Sequence, residues 1–256
     1  MKEEKIVNLG YKYKLYLNKD QMNILNHQMY IYNQAYNICL NLWQKENSKN
    51  KDLPKENRVF RNAVSYDTVI KRALRLRKLS FSTVVTQQAR INFLKAVKRA
   101  FSKEIVSARL KAIETAQTLK EKVKANQLGM PTFKSSRDTF QSFNWHNQGF
   151  QIINDKNPKF KVIKLMKVYF RYRYCREMST HYKITSITFS KDFTGYYVSY
   201  GVELKKQVDL VVSSDTFDIT KSIGIDLNAY NIAVSNNVDF IKESNISDVK
   251  LGHLID

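Results

Sequence analysis

The sequence predicts an α+β multidomain protein: a β-barrel that carries a helical lobe inserted near its start, followed by the beginning of a further β-containing domain. Three observations lead there. A period-two strand near the N-terminus is cut off, by a long stretch of helical periodicity, from a series of short aromatic strands that begins near residue 133. The charge changes sign near residue 203. A new apolar run with a carboxylate at its centre, Ile223-Gly224-Ile225-Asp226-Leu227, appears after that change.

From 9 to 17, Tyr11, Tyr13, Leu15 and Leu17 alternate with Lys12, Lys14 and Tyr16, as in a half-buried strand. Asn18 then reads as a helix cap, with Gln21 three residues on. The helix is expected to reach about 45, on a stripe of Leu25, Met29, Tyr32, Tyr36 and Leu40. Residues 47–57 are polar, contain Pro54 and read as a loop. Further helices are expected over 66–77 and 82–125, the second on Phe93, Leu94, Val97, Phe101, Ile105 and Ala108. Gly129 and Pro131 close the helical block. From 133 to 208, aromatic segments separated by Asn147-Gln148-Gly149, Asn154-Asp155, Asn157-Pro158 and Thr194-Gly195 read as antiparallel strands. The first strand is expected to pair with them, because alone it would leave its backbone groups unsatisfied. Residues 209–221 are polar and mildly acidic and read as a linker.

Composition narrows the function classes. The chain has 256 residues, 43% of them apolar, with seven Gly and three Pro, which argues for packed cores rather than low complexity. The formal charge is +20; residues 203–256 hold five lysines and nine acids, so the first 202 residues carry +24. Such a field favours nucleic acid over an anionic membrane surface. Cys39 and Cys175 stand far apart with no CxxC neighbours, which excludes a zinc ribbon and a disulfide framework. No signal peptide is visible and no apolar run approaches a membrane span, so a cytoplasmic, nucleoid-associated protein is expected.

No acid falls between Asp67 and Glu104, while Lys71, Arg72, Arg75, Arg77, Lys78, Arg90, Lys95, Lys98, Arg99 and Lys103 crowd that interval. Solvated faces normally mix signs, because like charges one helical turn apart repel. These residues are therefore read as uncompensated phosphate contacts, which give affinity with little sequence reading. In the strand around 169–176, Arg171 and Arg173 share one face and are assigned to RNA backbone; Phe170 and Tyr172, on the other, are assigned to a core. His27, His146, His181 and His253 show no metal spacing and read as structural or exposed. Asp226 lies in a strand–turn–strand pattern with Ile232-Ala233-Val234, which is how the first hairpin of a ribonuclease-H-like nuclease begins; capping of a loop by a buried Asp gives the same pattern.

Taken in order, these segments resemble the OrfB/TnpB family encoded by insertion sequences. The resemblance is carried by Tyr11–Gln21, by Tyr32-Asn33-Gln34-Ala35-Tyr36-Asn37, and by Gly129-Met130-Pro131-Thr132-Phe133-Lys134-Ser135. Ser142-Phe143, Ile184–Phe189, Gly195–Tyr200 and Gly224-Ile225-Asp226-Leu227 continue it. It implies a wedge-like β-barrel over 1–20 and 129–208, an inserted helical recognition lobe over 21–128, and an incomplete RuvC-like domain over 222–256. It also implies an RNA-guided DNA endonuclease, with guide RNA from the transposon end and target DNA as partners. Lys134 then joins the nucleic-acid contacts, and Asp226 becomes the first RuvC carboxylate and one Mg²⁺ ligand. The pattern also departs from the family. Asn228 follows Asp-Leu, Ser235-Asn236-Asn237 closes the hairpin, and the later carboxylates and four-cysteine zinc element have no counterpart. Asp239, Glu243 and Asp248 are placed in loops. The expectation is a C-terminally truncated member without zinc, productive Mg²⁺ or cleavage of its own. A second chain would complete RuvC, or the protein would act as a nuclease-dead repressor; a general RNA-binding protein is the unrelated alternative.

Overall fold

A computed structural model of the chain describes residues 2–59, 62–146, 148–178, 182–209, 224–227, 231–235 and 240–245. The chain divides into one compact unit of residues 6–205 and another of residues 1–5 and 206–256.

The first unit takes in residues 6–16 of β1 (Lys2–Tyr16), in which Tyr11, Tyr13 and Leu15 are buried and Lys12, Lys14 and Tyr16 exposed, as period two requires. Asn18 and Gln21 form the expected capping box at the head of α1 (Lys19–Asn50). The helix outruns its expected end, and residues 47–50 are helical rather than loop. Asn50 shows why: it is buried, accepts from the Val59 N–H at 3.1 Å and donates to the Val59 carbonyl at 2.8 Å, so the last turn is held by the chain that returns past it.

Next comes α2 (Ala63–Leu76), capped by Asn62. The single helix expected over 82–125 is three: α3 (Thr83–Ala100), α4 (Lys103–Thr115) and α5 (Leu119–Asn126). The breaks fall where hydroxyl residues compete for the backbone. Ser102 accepts from the Ile105 N–H, and Thr118 with Glu121 forms a second capping box. The expected apolar stripe ends at the first break: Phe93 is fully buried, whereas Phe101 is 57% exposed and α4 and α5 contain no buried residue. Gly129, at φ 74°, ends the helical block as expected. A Cβ there would collide with Ile105 Cγ2, on a backbone that L-residues rarely adopt. Gly129→Ala is therefore expected to lower stability by about 1–3 kcal/mol, read as a shift in urea midpoint.

The strands β2 (Gln141–Trp145), β3 (Phe150–Asn154), β4 (Phe160–Leu165), β5 (Val168–Arg173), β6 (Tyr182–Asp192) and β7 (Gly195–Asp209) form a seven-stranded sheet with β1, ordered β2-β6-β7-β1-β5-β4-β3. The first strand thus pairs as expected, with Leu15 opposite Tyr172. The closed barrel is corrected to a curled half-barrel: β2 and β3 are its two edges and do not pair with each other. Helices α1 and α3 pack against β2 instead. Tyr13, Phe143, Phe170, Tyr172, Phe189 and Tyr200 fill the sheet's inner face and are continuous, in one core, with Leu25, Ile31, Ile70, Leu74 and Phe93 of the helices.

In the second unit, β8 (Gly224–Leu227), β9 (Asn231–Ser235) and β10 (Phe240–Asn245) form an antiparallel sheet ordered β10-β9-β8. Glu243 is therefore in a strand and not in a loop. Asp239, Asp248, the hairpin closure Asn236-Asn237 and the linker beyond Asp209 lie outside the described residues. Among the described residues, no helix is long and apolar enough to cross a membrane.

Candidate nucleic-acid interface

Two exposed basic runs stand on the helices. On α2, Arg72 and Arg75 flank a shallow groove of about 500 Å³ with Thr68, Lys71 and Leu76, residues that helical spacing puts on one face. On α3, Lys95, Lys98 and Arg99 are exposed one turn apart, and Lys103 follows at the start of α4. None of Arg72, Arg75, Lys95, Lys98, Arg99 and Lys103 has an ion-pair partner among the described residues. Lys78 is exposed just past α2, at φ 54°.

The other expected phosphate-binding cations have different surroundings. Lys71 lies 2.5 Å from Asp67, one turn back, and so is compensated after all. The Arg77 guanidinium donates to the Gln34 side-chain oxygen. Arg90 is only half exposed, and its Nε has no hydrogen-bond partner among the described residues. Its charge is close enough to Cys39 to oppose the burial that pushes that thiol up to about 12. Arg171 makes a bidentate pair with Asp155, Nε to Oδ2 at 2.7 Å and Nη2 to Oδ1 at 3.2 Å, over the ring of Phe160. Hydrogen bonding from the Asn157 N–H, with that guanidinium, holds the Asp155 carboxyl below its usual range. Arg173 is exposed beside it on the outer face of β5, while Phe170 and Tyr172 are fully buried as expected.

Lys134 belongs to a constellation that residue spacing does not disclose. The Asn37 side chain donates to the Lys134 carbonyl and accepts from the Lys134 N–H, both at 2.9 Å. One turn earlier, Asn33 donates to Gln141, which donates in turn to the carbonyls of Ser135 and Asp138. Two segments of the resemblance, 32–37 and 129–135, are thus joined directly. The Lys134 ammonium lies 4.9 Å from the Tyr36 ring centre, and burial lowers it below the usual lysine range, with Asp138 opposing. A second amide chain runs from Tyr32 through Asn92 and Asn144 to Thr188, joining α1, α3, β2 and β6. The sequence signal for these residues is asparagine recurring at 33, 37 and 41, on a helix whose apolar stripe is the more obvious pattern. Asn37→Ala removes both bonds and leaves two half-buried peptide groups unpaired, so a loss of about 1–3 kcal/mol in denaturant stability is expected.

His27 Nε2 lies 2.7 Å from the Ser80 carbonyl oxygen, a structural role, and His146 is exposed. His181 and His253 lie outside the described residues. No group of three or more His, Cys, Asp or Glu that could hold a metal occurs among the described residues. Asp226 is central in β8, opposite Ala233.

Residues 1–52 match the model of the HTH_OrfB_IS605 family, a helix-turn-helix domain. Here that segment is a strand followed by one uninterrupted helix, with the turn of the motif's name absent from residues 19–50. The match supports an OrfB/TnpB-type relationship and points to a transposon-associated DNA-binding protein. No curated protein matches the chain.

Proposed function

We propose that the chain is an RNA-guided DNA-binding protein of the insertion-sequence OrfB/TnpB type. The helical residues hold polyanion and the half-barrel braces them. The observation that carries this reading is the group Arg72, Arg75, Lys95, Lys98, Arg99 and Lys103, exposed on α2, α3 and the start of α4 with no ion-pair partner among the described residues, in a chain whose first 52 residues match an OrfB family model. Phosphate neutralisation by such residues is blind to sequence, so a guide strand would supply specificity by pairing.

In this reading residues 222–256 do not cut alone. Two-metal cleavage needs several carboxylates, and the resemblance assigns one in this segment, Asp226. Mg²⁺-dependent cleavage by the chain that disappears in Asp226→Ala would overturn that part.

The test is to purify the chain at low salt and sequence the RNA that comes with it. Enrichment of RNA from the transposon end is expected. Unselected RNA with a steep salt dependence would replace this reading with general RNA binding, and a chain indifferent to RNA would remove both.

A further inference from the structure

We propose that a cleft on α1 receives a single unstacked nucleobase; the inference rests on the nucleic-acid reading and names a site within it. The cleft has a volume of about 750 Å³, within the range of small-molecule sites, and lies between α1, the end of α2 and the segment 126–133.

Its lining has the chemistry that a base requires. Phe133 is 69% exposed on the loop that Asn37 pins through the next residue. Trp43 faces the same space, with Phe93 and Phe101 set edge-on against its ring at 6.3 and 6.4 Å. Aromatic rings held in this way are stacking surfaces for bases of any identity.

Around them stand Asn41, Gln44, Asn126 and Gln127, none with a side-chain hydrogen bond among the described residues. Each offers donors and an acceptor, the complement of a base edge. The other two amides of the cleft are already committed, Asn37 to the Lys134 backbone and Gln34 to Arg77. That second bond fixes Arg77 in the cleft lining with guanidinium donors still unused, where it can meet the phosphate of the same nucleotide. No acid lines the cleft.

The test uses the whole chain and eight-nucleotide uridine or thymidine strands, each with one central 2-aminopurine. Its emission reports whether that base leaves its neighbours. A change of about twofold or more is expected on saturation at low salt. Phe133→Ala and Asn126→Ala, both at exposed positions, should each remove most of it, with affinity falling about five- to tenfold and the salt slope unchanged. A signal with the RNA strand alone assigns the base to the guide; a signal with the DNA strand alone assigns it to the target. Normal binding with emission unaffected by either substitution would overturn the cleft assignment and leave nucleic-acid binding standing. Failure to bind any strand would instead strike the nucleic-acid reading itself.

Discussion

Replacing Arg72, Arg75, Lys95, Lys98, Arg99 and Lys103 together by glutamine is expected to weaken RNA binding about a thousandfold at low salt. All six are exposed at helical positions and have no acid partner among the described residues. Each neutralised phosphate contributes about 0.7 to the slope of log affinity against log salt on single strands, and about 0.9 on duplex DNA. With six cations neutralised, the slope should therefore flatten by about four on RNA and about five on DNA. The control is Lys71→Gln with Arg171→Gln. Both are cations in the same chain, but each is already neutralised, by Asp67 and Asp155. Freeing a carboxylate there costs little phosphate binding, so the slope should change by less than about one. Fluorescence titrations between about 50 and 200 mM salt decide the matter. Equal effects of the two sets would mean that total charge matters and its placement does not.

Phe93→Ala is expected to cost about 3–5 kcal/mol of stability. The ring is fully buried where three helices meet: edge-on to Tyr36 at 5.5 Å and to Trp43 at 6.3 Å, and tilted against Tyr66 at 6.3 Å. Truncation removes the apolar burial, leaves a cavity, and takes an aromatic partner from each of those neighbours. Because the helical and sheet cores are one cluster, the loss should appear in a single cooperative transition. Urea unfolding followed by far-ultraviolet circular dichroism and by tryptophan fluorescence provides the check. Phe101→Ala, at a ring that is mostly exposed, should stay within about 1 kcal/mol. A variant in which the helices melt at lower urea than the sheet would show that the shared core does not couple them.

The parts of the fold that are legible from residues alone are those governed by local periodicity and caps. The alternation of Tyr11, Tyr13 and Leu15, the Asn18–Gln21 box, the Leu25-to-Leu40 stripe and the Gly129 terminus depend on neighbours within a few residues. Thr118 and Glu121 carry the same kind of signal, but lysine-rich helical composition on both sides masks the break. Barrel closure is not legible, since it depends on whether β2 and β3 meet, a matter of curl and of what α1 and α3 cover. In the candidate interface, net charge is legible and pairing is not. Arg171 and Arg173 look equivalent along the strand, yet a loop carboxylate at Asp155 neutralises one of them. Arg90 falls in a run of helical cations, yet it stands close enough to buried Cys39 to influence its thiol.

The two asparagines that anchor distant chain to α1 share a further property. Asn37 and Asn50 each grasp an N–H and a C=O, groups that every amino acid but proline presents identically. Residues 134 and 59 are thereby free to vary in size, charge and polarity while the attachment persists. Proline is the one replacement that the clasp itself would reject.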